Sequence, residues 1–212
     1  MLMFLLLLSI LIKLFSIYFF SHSEPFSNRD TVILMGDSIY ENSKYVPLNE
    51  SVYYNLKEKH KNTFIVAKDS SEVRDLNTQF KEAEKYIKND KPYLFISIGG
   101  NDILRKQNTM NNNMKKHLND LFNHYKNILS KNKNKYNIVL TTIYKPHLKK
   151  YRKYDENIYY WNDKIKELSI KEGYSVFNIH DIIYNKDHFT MEIEPSSKAS
   201  KIIAHQIINK LY

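Results

Sequence analysis

Short apolar runs alternate along the chain with segments whose apolar residues recur every three or four positions. Thr31 to Met35, Asn62 to Ala67, Pro92 to Ile98, Asn137 to Tyr144 and Tyr174 to Ile179 are continuously or nearly continuously apolar, and each reads as a buried strand. Between them lie Val73, Leu76, Phe80, Ala83 and Ile87, then Met114, Leu118, Leu121, Phe122, Tyr125, Ile128 and Leu129, then Ile158, Trp161, Ile165 and Leu168. Those spacings predict amphipathic helices. A last helix carries Ile203, Ile207 and Leu211 behind Pro195, with Ser196 and Ser197 as caps, and a shorter one lies around Val52 to Leu56. Strands apolar on both faces and separated by helices require a parallel sheet covered on both sides. The expected fold is therefore α/β: a flavodoxin-like three-layer sandwich on a five-stranded parallel sheet of order 2-1-3-4-5. The Asn-rich stretch Asn108 to Asn113 reads as a loop opening a helix.

The 212 residues suffice for one such domain over residues 31–212, with residues 23–30 as a linker behind residues 1–22. Residues 2–20 are apolar apart from Lys13 and two serines, and at about 1.5 Å per residue they are long enough to cross about 30 Å of hydrocarbon as a helix. This is the signature of a signal anchor, that is, a transmembrane helix. Ser21-His22-Ser23 also offers the small residues of a signal-peptide cleavage site. Either reading sends the domain into the secretory pathway, membrane-anchored by a single span or secreted. Asn49-Glu50-Ser51 is a glycosylation sequon, usable only on that route.

Cysteine is absent, which excludes disulfide frameworks and thiolate metal sites. No paired His/carboxylate spacing recurs, so the sequence offers no metal site and no cofactor motif. The formal charge of +9 falls outside the first thirty residues, where Lys13 and Arg29 balance Glu24 and Asp30. The cations are scattered through Lys/Asn-rich segments such as Lys131 to Lys135 and Lys149 to Lys153. No basic stripe is interleaved with aromatics, so nucleic acid stays a minor alternative to a merely solvated basic face. The 17 tyrosines, including Tyr144, Tyr151, Tyr154, Tyr159 and Tyr160, could stack on sugar rings but read first as packing residues.

Ligands of doubly wound sheets bind beyond the carboxyl ends of the strands, where strand order reverses. Gly36-Asp37-Ser38-Ile39 follows the first strand and Gly99-Gly100-Asn101-Asp102 the third. In the expected order those two strands are neighbours. Three of the chain's four glycines fall in these turns, where a missing Cβ lets the backbone approach a bound group. A serine there presents its hydroxyl and its own amide to one point, and the Asn101 carboxamide can donate to the same point. That set suits attack on an acyl carbonyl, with Ser38 as nucleophile and the Ser38 amide and Asn101 as oxyanion donors.

With these residues the chain resembles the SGNH, or GDSL, hydrolase family of esterases, lipases and acetylhydrolases. GDSI (Gly36 to Ile39) is similar to its nucleophile block, and GGND (Gly99 to Asp102, with Gly100 and Asn101 beside the substrate) to its oxyanion block. Pro195 followed by SSKASKIIA resembles the last block, from which the likeness extends back to about Thr31. The resemblance implies a carboxylic ester hydrolase using no cofactor, on a small-molecule, glycan or lipid ester. It also implies a structural role for Asp37 in the nucleophile turn. The glycine of the family's second block, a further oxyanion donor, falls at Ser70. Glu194 stands where the family has its general-base histidine, and Met191 where it has the supporting aspartate. Two candidates remain for the base. His188, beside Asp187 in the same loop, has the pKa range suited to the task. Glu194 could take the serine proton itself if burial raised its pKa, or orient a histidine. The alternative function is a catalytically inactive domain of the same fold that binds a glycan or lipid.

Overall fold

The computed structural model describes residues 30–88, 91–106 and 113–211. The expected apolar span at residues 1–22, the linker at 23–30 save its last residue, and the Asn-rich stretch 108–113 save Asn113 lie outside the described residues. Among the described residues no helix is long and apolar enough to cross a membrane.

Strands β1 (Val32–Gly36), β2 (Thr63–Ile65), β3 (Tyr93–Ser97), β4 (Asn137–Thr141) and β5 (Ser175–Phe177) form one sheet of order β2-β1-β3-β4-β5. Every neighbouring pair in it is parallel. Gly36 of β1 lies opposite Ser97 of β3, so the two motif-bearing turns leave the sheet side by side. The strands are shorter than the apolar runs that announce them, because the flanking residues pack as loop rather than ladder.

Alternate side chains of each strand point to opposite faces. On one face Ile33, Met35, Leu94, Ile96, Ile138 and Leu140 pack against three helices: α2 (Leu76–Ala83), α4 (Met114–Asn132) and α5 (Asp155–Glu172). On the other, Val32, Leu34, Phe95 and Val139 meet α1 (Val52–Lys59) and α6 (Ser197–Leu211). The four apolar residues of β1 are fully buried; each contributes about 1.5–3 kcal/mol relative to exposure.

Three features were not anticipated. Residues 73–86 are not one helix but α2 flanked by 3-10 turns at Val73–Asp75 and Glu84–Tyr86. Gly100 opens a two-turn helix, α3 (Gly100–Lys106). Ahead of α6, β6 (Phe189–Thr190) and β7 (Glu194–Pro195) pair antiparallel outside the main sheet.

Candidate active site

The turn after β1 is set by Gly36 and Asp37. Gly36 has φ +118°, and a Cβ there would fall 1.7 Å from the Ser97 carbonyl oxygen, so only glycine fits between the two strand ends. The Gln79 side chain brackets it: the Gly36 amide donates to Oε1 at 2.7 Å, and Nε2 donates to the Gly36 carbonyl at 2.9 Å. The Asp37 amide donates to the Ser97 carbonyl at 3.0 Å. Its buried carboxylate accepts from the Ile39 amide at 3.2 Å and from the Ser97 hydroxyl at 3.3 Å. Burial pushes the Asp37 carboxyl up to about 7, the Ile39 bond opposes the shift, and Glu194 adds to it. Asp37 thus shapes the turn, as expected, and leaves Ser38 half-buried at its apex.

The turn after β3 is equally constrained. Gly99 has φ +106°, and a Cβ would lie 2.4 Å from the Trp161 indole. That indole donates to the Ile98 carbonyl at 3.0 Å. Asn101 then sits in the first turn of α3, and its Nδ2 donates to the Ser71 carbonyl at 3.0 Å. The second proton on Nδ2 has no hydrogen-bond partner among the described residues. Asp102 accepts from the Val73 amide at 3.1 Å, with burial lifting its carboxyl to about 6. Arg105 pairs with Glu72 at 2.8 Å. These bonds lash α3 to the loop after β2.

Glu194 arrives from the other side, on the β6–β7 hairpin. Met191 and Glu192 form its tip with φ of +44° and +76°, a backbone region non-glycine residues rarely adopt. The Glu192 carboxylate pairs with Lys150 and accepts from the Tyr151 hydroxyl at 2.7 Å. The Tyr144 hydroxyl donates to the Ile193 carbonyl at 2.7 Å. So held, Glu194 lines the same cavity as Ser38. Burial raises its pKa, and the neighbouring Ser38 side chain partly offsets that rise.

Ser38, Gly100, Asn101 and Glu194 all line one cavity of about 50 Å³. Its remaining wall is mainly apolar, with Ile103, Leu104, Ile143, Tyr154 and Ile158 among its residues. Three of the residues singled out by the sequence do not line this cavity. His188 is buried, its Nδ1 accepts from the Tyr184 amide at 3.3 Å, and its ring does not line the cavity. Burial lowers its pKa. Asp187 is exposed and committed to Lys198 at 2.6 Å. Ser70 is exposed with φ +64°; it keeps the left-handed backbone a glycine would supply, but its carbonyl accepts from Arg105 and it does not line the cavity.

Asn42 is the structural residue that sequence reasoning missed. Fully buried, its Nδ2 donates to the Pro195 carbonyl at 3.0 Å and to Ser200 Oγ at 2.6 Å, while its Oδ1 accepts from the Val52 amide at 3.0 Å. One side chain thereby joins the segment after Ser38, the strand carrying Glu194, and helices α1 and α6. A lone asparagine after a turn carries no signal that would have revealed this.

A doubly wound parallel sheet with a serine and an asparagine facing one cavity at its switch point defines the SGNH class of fold. A profile described as GDSL-like Lipase/Acylhydrolase matches residues 32–207. The chain belongs to this family of ester hydrolases. No curated protein sequence matches it. Among solved structures it is similar to a lipolytic protein of the G-D-S-L family from Veillonella parvula, at 15% identity and TM-score 0.68, covering 84% of this chain and 96% of that one. It is also similar to the acetyl xylan esterase Axe2 from Geobacillus stearothermophilus, at 15% identity and TM-score 0.65, covering 89% and 97%. A third likeness is to the psychrotrophic esterase EstA from a Pseudoalteromonas species, at 16% identity and TM-score 0.62, covering 85% and 95%. At these identities the likeness is one of fold.

Proposed function

We propose that the protein hydrolyses short-chain carboxylic esters through an acyl-enzyme on Ser38, with Glu194 as the proton acceptor. The observation that carries this reading is the convergence of Ser38, Glu194, Gly100 and Asn101 on one cavity, with Glu194 drawn in from the far end of the chain.

Ser38 Oγ attacks the ester carbonyl carbon and its proton passes to Glu194. The carbonyl π electrons move onto oxygen, where the Ser38 and Gly100 amides and the Asn101 carboxamide stabilise the charge. Each such donor is worth about 2.7–4 kcal/mol in comparable hydrolases. As the intermediate collapses, the C–O bond to the alcohol breaks and the alcohol leaves with the proton from Glu194. Water then adds to the acyl carbon and loses its proton to Glu194; breaking the Ser38 ester releases the acid and returns the proton to Oγ. A free glutamate, with pKa about 4.3, is a weak base for this task. Burial of Glu194 works in the needed direction.

The cavity limits the acyl group. Each ordered water needs about 10–15 Å³ of accessible space, so about 50 Å³ suits an acyl group of a few heavy atoms. The apolar run at residues 2–20 supports a place on the secretory route, and glycosylation at Asn49 in cells would test that location.

A fluorophosphonate probe tests the chemistry. The expected result is stoichiometric labelling of Ser38 and none in Ser38→Ala. Folded protein that neither labels nor turns over an aryl acetate would overturn the reading and fit an inactive, ligand-holding domain instead.

A further inference from the structure

Beyond Pro146 the cavity gives way to a second space of different character. Pro146 lines both, and the segment after β4 divides them: Tyr144 faces the Ser38 cavity while Lys145 and His147 face the second space. The start of α5 and the residue before it split in the same way, with Tyr154 and Ile158 on the cavity side and Asp155 and Tyr159 on the other. This second space is an open groove of about 480 Å³, completed by Arg152, His180, Asp181, Ile183 and Tyr184.

The groove's acids and bases are not equally engaged. Asp155 is paired with Lys145 at 3.6 Å. Asp181 accepts from the Asn178 carboxamide. The Lys145 ammonium also lies 4.9 Å from the Tyr159 ring centroid, and that tyrosine together with Asp155 raises its pKa. His180 is oriented by its Nδ1, which donates to the Ile143 carbonyl at 3.1 Å. By contrast, the Arg152 guanidinium and the His147 ring are exposed, and among the described residues neither has a side-chain partner. The groove's free donors are therefore headed by a planar guanidinium whose fork matches a carboxylate or a phosphate, beside an exposed Asp181 carboxylate held only by a neutral amide. Exposed Tyr184 and Tyr159 supply flat apolar surface beside it.

We propose that this groove binds the alcohol portion of the substrate, and that this portion carries a carboxylate or phosphate recognised by Arg152 with His147. The small apolar cavity then takes the acyl group and the roomy polar groove the leaving group, with the ester bond at Ser38 between them. The assignment rests on the Ser38 hydrolase reading and deepens it by naming the charge of the substrate.

The test compares 4-acetoxybenzoate with its neutral methyl ester, each rate normalised to spontaneous hydrolysis. The wild-type protein is expected to favour the anion about tenfold or more in kcat/KM, the size of one hydrogen bond to a charged group. In Arg152→Gln, and further in the double variant with His147→Gln, that ratio falls towards one, while Arg152→Lys retains part of it. Glucuronate and glycerol 3-phosphate should inhibit and glucose should not, with the stronger inhibitor telling carboxylate from phosphate. Equal normalised efficiencies for the two esters would overturn the groove assignment and leave the hydrolase standing. Hydrolysis of neither ester would overturn the Ser38 reading; titration with 4-hydroxybenzoate would then decide the groove, absence of binding overturning it too.

Discussion

The Asn42 carboxamide donates to the Pro195 carbonyl at 3.0 Å, across 153 residues of sequence. Pro195 follows Glu194, and Asn42 lies four residues after Ser38. The two residues that the proposed mechanism pairs are thus spanned by a neutral bridge that neither takes part in. Asn42→Ala strips donors and acceptor from a buried site, leaving Pro195, Ser200 and the Val52 amide unsatisfied. A loss of about 2–4 kcal/mol in stability is expected, read from urea midpoints, with a lower kcat at temperatures where the variant is folded. Unchanged kcat in folded N42A would remove the positioning role.

Glu194→Gln keeps the shape and loses the proton acceptor. Esterase kcat should fall by about 10²–10⁴, while His188→Gln, altered outside the cavity, should lose far less. The reverse ranking in aryl-ester assays would return the base to His188.

The pH profile should carry the same signature. Glu194 must be ionised to accept the serine proton, and burial holds its pKa above the ordinary 4.5. Activity is therefore expected to rise through a single ionisation above that value. In Glu194→Gln the limb should vanish. A limb persisting in the variant would assign it to another group.

Asp37 makes a separate prediction about stability. Its folded pKa is raised from 3.8 to about 7, so between those values the folded state holds more proton than the unfolded state. Stability from this group is fully present below pH 3.8, declines as pH rises, and is lost above about 7. The total is on the order of a few kcal/mol. Asp37→Asn should flatten the fall in the urea midpoint between pH 5 and pH 8. A parallel fall in both proteins would assign the effect elsewhere.

Gly99→Ala tests the second turn. Its Cβ would meet the Trp161 ring at 2.4 Å in a backbone of φ +106°. Strain and overpacking together should cost about 2–4 kcal/mol, with Asn101 displaced and kcat reduced. A thermal midpoint equal to that of the unchanged protein would show that the turn can relax.

Much of this architecture was legible from the residue order. The five strands announced themselves because each is apolar on both faces, and sheet order followed from the helices between them. Ser38, Gly100 and Asn101 could be placed together because their turns follow strands that neighbour one another. The choice between Glu194 and His188 could not be made. It depends on the β6–β7 hairpin, whose two-residue strands are too short to show a period, and whose left-handed tip is built from Met191 and Glu192 rather than glycine. Helix α3 was hidden for a similar reason: it opens on glycine and spans only seven residues. Asn42 was invisible because its partners come from the far end of the chain.

Glu194 rides on a ribbon stitched to the outside of the scaffold, whereas Ser38 follows the end of a fully buried strand. Exchanging the residue at the ribbon's end disturbs no layer of the sandwich. Under the proposed function a carboxylate can therefore stand where the family places an imidazole without any repacking of the interior, its pKa raised by burial. In the proposed mechanism, attack and proton removal thus fall to mechanically separable parts.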